Sequence, residues 1–166
     1  MTTKHTNYTK KIIINFLLRL VAHRLELLVE IKAGKYQPSI LLESVSKLMK
    51  WYRPSDSQII IHSFSAEIMR DALVRLAGEN VKFGILCGTA EELEKFEDIL
   101  DKIDYVHPSW TGILEDPRAF AQTQRPFHIW TVNRKEDFDR LMKIPCKDKI
   151  SAVMTDELEL MCGKEK

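Results

Sequence analysis

Little in this sequence points away from an ordinary globular fold. Its three cysteines, Cys87, Cys146 and Cys162, are an odd set with no CxxC spacing. That excludes a disulfide frame or a zinc ribbon and suits the reduced thiols of a cytoplasmic protein. The formal net charge is only +1, so no field of one sign argues for a nucleic acid partner or an anionic membrane surface. The glycines form neither GxGxxG nor GxxxxGK, so no nucleotide cradle follows the first strand. No low-complexity tract or linker divides the chain, and a single domain over 1–166 is expected, with a polar, frayed start at 1–8. No apolar run is long enough for a membrane span. The nearest, Ile12 to Val21, follows Lys10-Lys11 like a signal peptide, but Arg19 interrupts it and no small-residue cleavage site follows. Its apolar positions 13, 16, 17 and 20 have helical spacing and predict an amphipathic, core-facing helix over about 9–22.

What the chain does have is alternation. Hydrophobic residues at 45% and charged residues at 30% describe a soluble domain with a sizeable core. A helix is predicted over 38–51, with Pro38 in its first turn and Ile40, Leu41, Val45, Leu48 and Met49 on its apolar side. Ile59-Ile60-Ile61 reads as a buried strand ending at His62-Ser63-Phe64. Ser65 caps the next helix, which closes at Gly78. A strand over Phe83 to Cys87 leads to Thr89-Ala90-Glu91-Glu92, a capping box. Tyr105-Val106-His107 is a brief strand halted by Pro108, and Asp116-Pro117 starts a further helix. The last strands are predicted at Phe127 to Val132 and Ile150 to Met154. Asn133-Arg134-Lys135-Glu136, and Asp156 with Glu159, read as helix N-termini. Strands and helices thus alternate six times, which indicates right-handed βα units on a parallel sheet. A doubly wound open sheet and a β/α-barrel both fit.

The stretch Leu25 to Lys32 organises the rest. With period two, Leu25, Leu27, Val29 and Ile31 share one face, and Glu26, Leu28, Glu30 and Lys32 share the other. One face is expected to pack on helices. The other carries a carboxylate and an ammonium towards a polar space at the strand's C-terminal end, where the βα loops of a barrel converge. An edge strand with a solvated charged face is the alternative.

Four strand ends, Val29-Glu30-Ile31-Lys32, His62-Ser63-Phe64, Trp130-Thr131-Val132-Asn133 and Thr155-Asp156, stand in one order. Together they resemble the later part of the glycerophosphodiester phosphodiesterase family, over about residues 20–160. The family's TIM barrel carries a Glu-x-Lys on its third strand, Ser-Phe on the fourth, Trp-Thr-Val-Asn on the seventh and Thr-Asp on the eighth. The resemblance implies an α/β fold, a partial TIM (β/α) barrel of about six βα units lacking the first two of eight strands. It implies metal-dependent hydrolysis of glycerophosphodiesters. Glu30 would be one carboxylate ligand of a divalent cation, calcium or magnesium. Lys32 would offset the phosphodiester's charge, and Trp130, with Phe64 beside it, would wall the substrate's alcohol portion. Against those roles, Phe64 also reads as a packing residue, and Asn133 and Asp156 as helix caps.

The departures from the family are as informative. Its His-Arg-Gly on the first strand, and its Glu-x-Asp and following histidine on the second, have no counterpart here. The resemblance implies that those histidines are the general acid and base, and that those carboxylates complete the metal site. His23-Arg24 lacks the glycine and precedes the third strand, so it is no substitute, and Glu157-Leu158 replaces the family's proline after Thr-Asp. His62 and His107 lie near strand ends, where either could face the site as a replacement, but a lone histidine there reads first as a hydrogen-bonded structural residue; His128, two before Trp130, shares its face deeper in the barrel. A six-strand portion of a barrel has open edges. It is expected to curve into an open sheet, to be completed by a second copy (a homodimer) or a complementing N-terminal fragment, or to persist as a poorly folding remnant. Without the acid/base pair the isolated chain is expected to be near-inactive. The alternative function is a non-catalytic interaction module acting through its edges.

Overall fold

The computed structural model describes residues 26–34, 37–52 and 59–157. The helix expected at 9–22, His5, His23-Arg24, Leu25, Glu159 and Cys162 lie outside the described residues. The elements are β1 (Leu27–Glu30), α1 (Pro38–Tyr52), β2 (Ile59–Ser63), α2 (Ala66–Arg75), β3 (Lys82–Cys87) and α3 (Ala90–Glu94). After them come β4 (Tyr105–Pro108), α4 (Trp110–Glu115), α5 (Pro117–Ala121), β5 (Phe127–Ile129), α6 (Lys135–Leu141) and β6 (Ile150–Val153). All five strand pairings are parallel and the order is β1-β2-β3-β4-β5-β6. Consecutive strands that are always neighbours form one half-barrel and exclude the doubly wound alternative, whose strand order must reverse.

The period-two pattern decides which side of the sheet meets helices. Leu27, Val29 and Ile31 pack with Ile59, Ile61, Leu42, Met49, Ile68 and Ala72, joining β1 and β2 to α1 and α2. A second cluster carries Ile85, Cys87, Val106, Phe127 and Ile129 against Leu93, Phe96, Ile113, Phe120 and Leu141. Every strand residue named here has one parity, and this convex face is where most of the hydrophobic stabilisation is gained.

Helix starts follow their side chains. Ser65 Oγ accepts from Ile68 N–H, Thr89 Oγ1 from Glu92 N–H and Asp116 Oδ1 from Ala119 N–H. In the Thr89 box the Glu92 carboxylate accepts from Gly88 N–H at 2.5 Å. After α2 the chain turns through Gly78 at φ +83°, a value L side chains rarely adopt.

Some expectations are corrected. Ile40 is 55% exposed and Leu42 takes the core place expected of it, because α1's inward stripe is centred one position later. The strand expected to reach Val132 stops at Ile129, since Trp130 keeps only an isolated bridge to Ser109. Asn133 is not a cap: α6 starts from Arg134 with no side-chain cap bond. Helix α4 was not expected. Ser109 caps it through Gly112 N–H, a signal hidden because Pro108 suggested a plain stop.

Candidate functional site

At the C-terminal rim, Glu30 and Lys32 leave β1 on its inward-facing parity. Their charged atoms lie 3.5 Å apart, with the Lys32 side chain 77% exposed and that of Glu30 30%. The exits of β1 and β2 are tied together. Ser63 Oγ donates to Ile31 C=O at 2.6 Å and accepts from Ser65 N–H, while Ile31 N–H donates to His62 C=O at 2.9 Å. Around this tie lies an open pocket of about 340 Å³, lined by Glu30, Lys32, Ser63, Phe64 and Ser65 among others.

Phe64 is not a core residue, as its packing role would require. It is 48% exposed and sets its ring edge-to-face against Trp130, 5.5 Å between centroids and 85° between planes. Trp130 is fixed from behind: its indole N–H donates to His107 C=O at 2.7 Å, and its backbone bonds to Pro108 and Trp110. Glu30, Lys32 and Phe64 thus share one pocket, and Trp130 joins it through Phe64. Thr155 and Asp156 belong to another arrangement. Asn133 Oδ1 accepts from Thr155 Oγ1–H and Asp156 N–H, and its Nδ2 donates to Asp156 Oδ2. They clamp the β5 exit to the β6 exit.

One rung further in, the concave face holds what the sequence did not reveal. His62, His107 and His128 are a packed group. His62 and His107 have ring centroids 4.9 Å apart and His107 and His128 5.0 Å, and His62 Nδ1 lies 2.8 Å from His107 Nδ1. They come from β2, β4 and β5. The strand between β2 and β4 offers Gly84, where a Cβ would fall 2.8 Å from His107 Nε2. The missing side chain is the gap across which the two rings meet. The Tyr105 ring lies tilted against His128, 4.3 Å between centroids, and its hydroxyl accepts from the Lys82 ammonium, which also pairs with Glu26.

Burial holds the His62 and His107 imidazoles in the neutral form. Burial drives His62 down to about 4, with His128 adding to the effect, and drives His107 to about 2, with His62 and His128 adding. His128 is lowered by burial; Glu26 opposes this and Lys82 reinforces it. Since the two Nδ1 atoms share one proton-bearing contact, one ring donates and the other accepts. His107 Nε2 has no hydrogen-bond partner among the described residues, a cost of about 1–3 kcal/mol. The signal for this group was present: His62 and His107 share the inward parity of Gly84, but only the register across three strands brings them together.

A hard divalent cation needs about six to eight oxygen donors. Among the described residues no group of three or more His, Cys, Asp or Glu is placed to hold a metal, and Glu30 stands beside the Lys32 ammonium. The described residues do not by themselves make a calcium or magnesium site. No helix among the described residues is long and apolar enough to cross a membrane. Cys87 and Cys146 are free, buried thiols, that of Cys87 pushed up to about 12 by burial and by Glu92.

No family model and no curated protein matches the sequence. Solved structures do match in fold. One is a Silicibacter pomeroyi protein assigned as a glycerophosphoryl diester phosphodiesterase, with TM-score 0.62 and 16% identity over 80% of this chain and 47% of its own. Another is an Oleispira antarctica phosphodiesterase in complex with its product sn-glycerol-3-phosphate, with TM-score 0.63 and 15% identity over 82% of this chain and 54% of its own. The chain spans about half the length of these proteins. It has the fold of the glycerophosphoryl diester phosphodiesterases, as a partial α/β barrel.

Proposed function

We propose that the rim pocket is the phosphodiester-handling part of a glycerophosphodiester phosphodiesterase-like domain. Lys32 offsets the phosphate charge, and Phe64 and Trp130 face the alcohol portion. The observation that carries the reading is Phe64, which lines the Glu30–Lys32 pocket and touches the Trp130 ring. The neighbour that binds sn-glycerol-3-phosphate has the same fold, which supports it further.

Binding is one requirement and turnover another. Hydrolysis needs groups that take a proton from the nucleophile and give one to the leaving alcohol. His62 and His107 are committed to each other, and their depressed basicity makes them poor bases. Divalent-metal chemistry of the family's kind needs carboxylates besides Glu30. The isolated chain is therefore expected to bind but to turn over near background, and cytoplasmic placement goes with its reduced thiols. The test is glycerophosphocholine hydrolysis by the pure chain with and without calcium or magnesium. Background rates are expected in every case, and metal-dependent turnover would overturn the expectation of inactivity.

A second reading, an interaction module, is favoured by one feature. β1 and β6 end the sheet order, and Ser151 and Ala152 of β6 are exposed, so backbone groups at that edge are open to another chain. It predicts association that rises with concentration in light scattering. A monomer across the whole concentration range would count against it.

A further inference from the structure

The aromatic corner of the rim stands on the histidine pair below it. Phe64 follows His62 by two residues at the β2 exit, so the two side chains leave the chain on one side. The Trp130 ring is held by the other member of the pair, through the bond from its indole N–H to His107 C=O at 2.7 Å. The two halves of the corner thus depend on strands that are not hydrogen-bonded neighbours: β2 and β4 each pair with β3. Strands two apart are about 9–10 Å from one another, a span that two imidazoles meeting end to end can cross. Here they cross it, His62 Nδ1 to His107 Nδ1 at 2.8 Å, over the place where β3 carries Gly84. A Cβ there would fall 2.8 Å from His107 Nε2 and 2.9 Å from its Cε1.

A buried apolar pair would fill the same volume, but with distance and direction loosely set. A hydrogen bond holds donor and acceptor within a few tenths of an ångström. This one holds even though His107 Nε2 is left without a partner among the described residues. Resting on the phosphodiester reading above for its ligand alone, we propose that His62 and His107 are positioning residues of the rim pocket. Their mutual bond sets how far β2 curls towards β4, and with it the meeting of Phe64 and Trp130 at 5.5 Å and 85°. Ser63 ties the same β2 exit to Ile31 C=O, so a change in that curl also reaches Glu30 and Lys32. The corner is thereby formed before a ligand arrives, which leaves less ordering to oppose binding.

The experiment compares His62→Asn with His62→Leu. The two replacements have nearly the same shape, and only the first offers a polar group where Nδ1 stood, able to donate or accept. The readouts on the full chain are the ¹⁵N–¹H signal of the Trp130 indole and the affinity for sn-glycerol-3-phosphate. His62→Leu is expected to shift that signal and to weaken binding about two- to tenfold, the range of one aromatic edge-to-face contact. His62→Asn should restore both, with the amides of the convex helices unmoved in either variant. Gly84→Ala reaches the same contact from the other side, displacing the His107 ring with every polar group kept, and should shift the indole even if His62→Leu does not fold. Equal behaviour of the two His62 variants, an indole unmoved by Gly84→Ala, or an indole that moves with affinity unchanged would overturn the proposal and leave the phosphodiester reading standing. A wild-type chain that binds no sn-glycerol-3-phosphate would remove that reading, and the indole comparison alone would then decide the positioning roles.

Discussion

The two faces of the sheet obey different rules. On the convex face Ile61, Ile85, Val106, Phe127 and Ile129 are wholly buried and packed on helices, and the chemistry is hydrophobic burial alone. On the concave face the same strands present Glu30, His62, Lys82, Tyr105, His107 and His128, held by register, hydrogen bonds and ring contacts. The convex face makes the half-barrel stable. The concave face costs stability, in an imidazole nitrogen with no partner among the described residues and in His62 and His107 kept uncharged, and places polar groups one rung below the rim.

The comparison predicts its own tests. Deleting convex bulk should do most harm: Phe127→Ala is expected to cost about 3–5 kcal/mol, read from the urea midpoint. A loss under 1 kcal/mol would show that the core lies elsewhere. Acid should act on the concave face. His62 and His107 have folded-state values below the 6.5 of a free histidine, so the unfolded chain binds more protons. Their contribution is complete above about pH 6.5 and is lost as pH falls towards about 4 for His62 and about 2 for His107. Each should lose about 1.4 kcal/mol per pH unit in that window. Unfolding at pH 7.5 and 5.0 should therefore differ by a few kcal/mol, and less in His62→Gln and His107→Gln. Identical slopes in wild type and variants would refute the neutral, buried cluster.

The smallest effect tests how the cluster is spaced. Gly84→Ala puts a methyl 2.8 Å from His107 Nε2 and should cost about 1–3 kcal/mol by overpacking. Because the contact is the ring tip, Gly84→Ala should cost much less in a His107→Ala background. Additive costs in that double-mutant cycle would mean that the glycine and the ring do not meet.

Legibility in the sequence divides along the same line. Period two in Leu27, Val29 and Ile31, the triple isoleucine of β2 and the side-chain caps at Ser65, Thr89 and Asp116 sufficed for the convex face and most helix starts, because those signals are local. The charged parity of Glu30 and Lys32 was readable for the same reason. The imidazole cluster was not, since His62 and His107 are 45 residues apart and meet only because Gly84 is empty between them. Asn133 misled for a similar cause. Its amide spans to Thr155 and Asp156, a contact across two strand exits that outweighs the local capping pattern.

The central claim is that Glu30, Lys32, Phe64 and Trp130 share one ligand-facing rim. The most direct test is a ¹⁵N–¹H spectrum of the chain titrated with sn-glycerol-3-phosphate. Saturable shifts should concentrate at residues 30–33 and 63–65 and at the Trp130 indole N–H, with α1 and α2 unmoved along most of their length. No saturable shift, or shifts spread over the convex helices with the Trp130 indole unchanged, would contradict it.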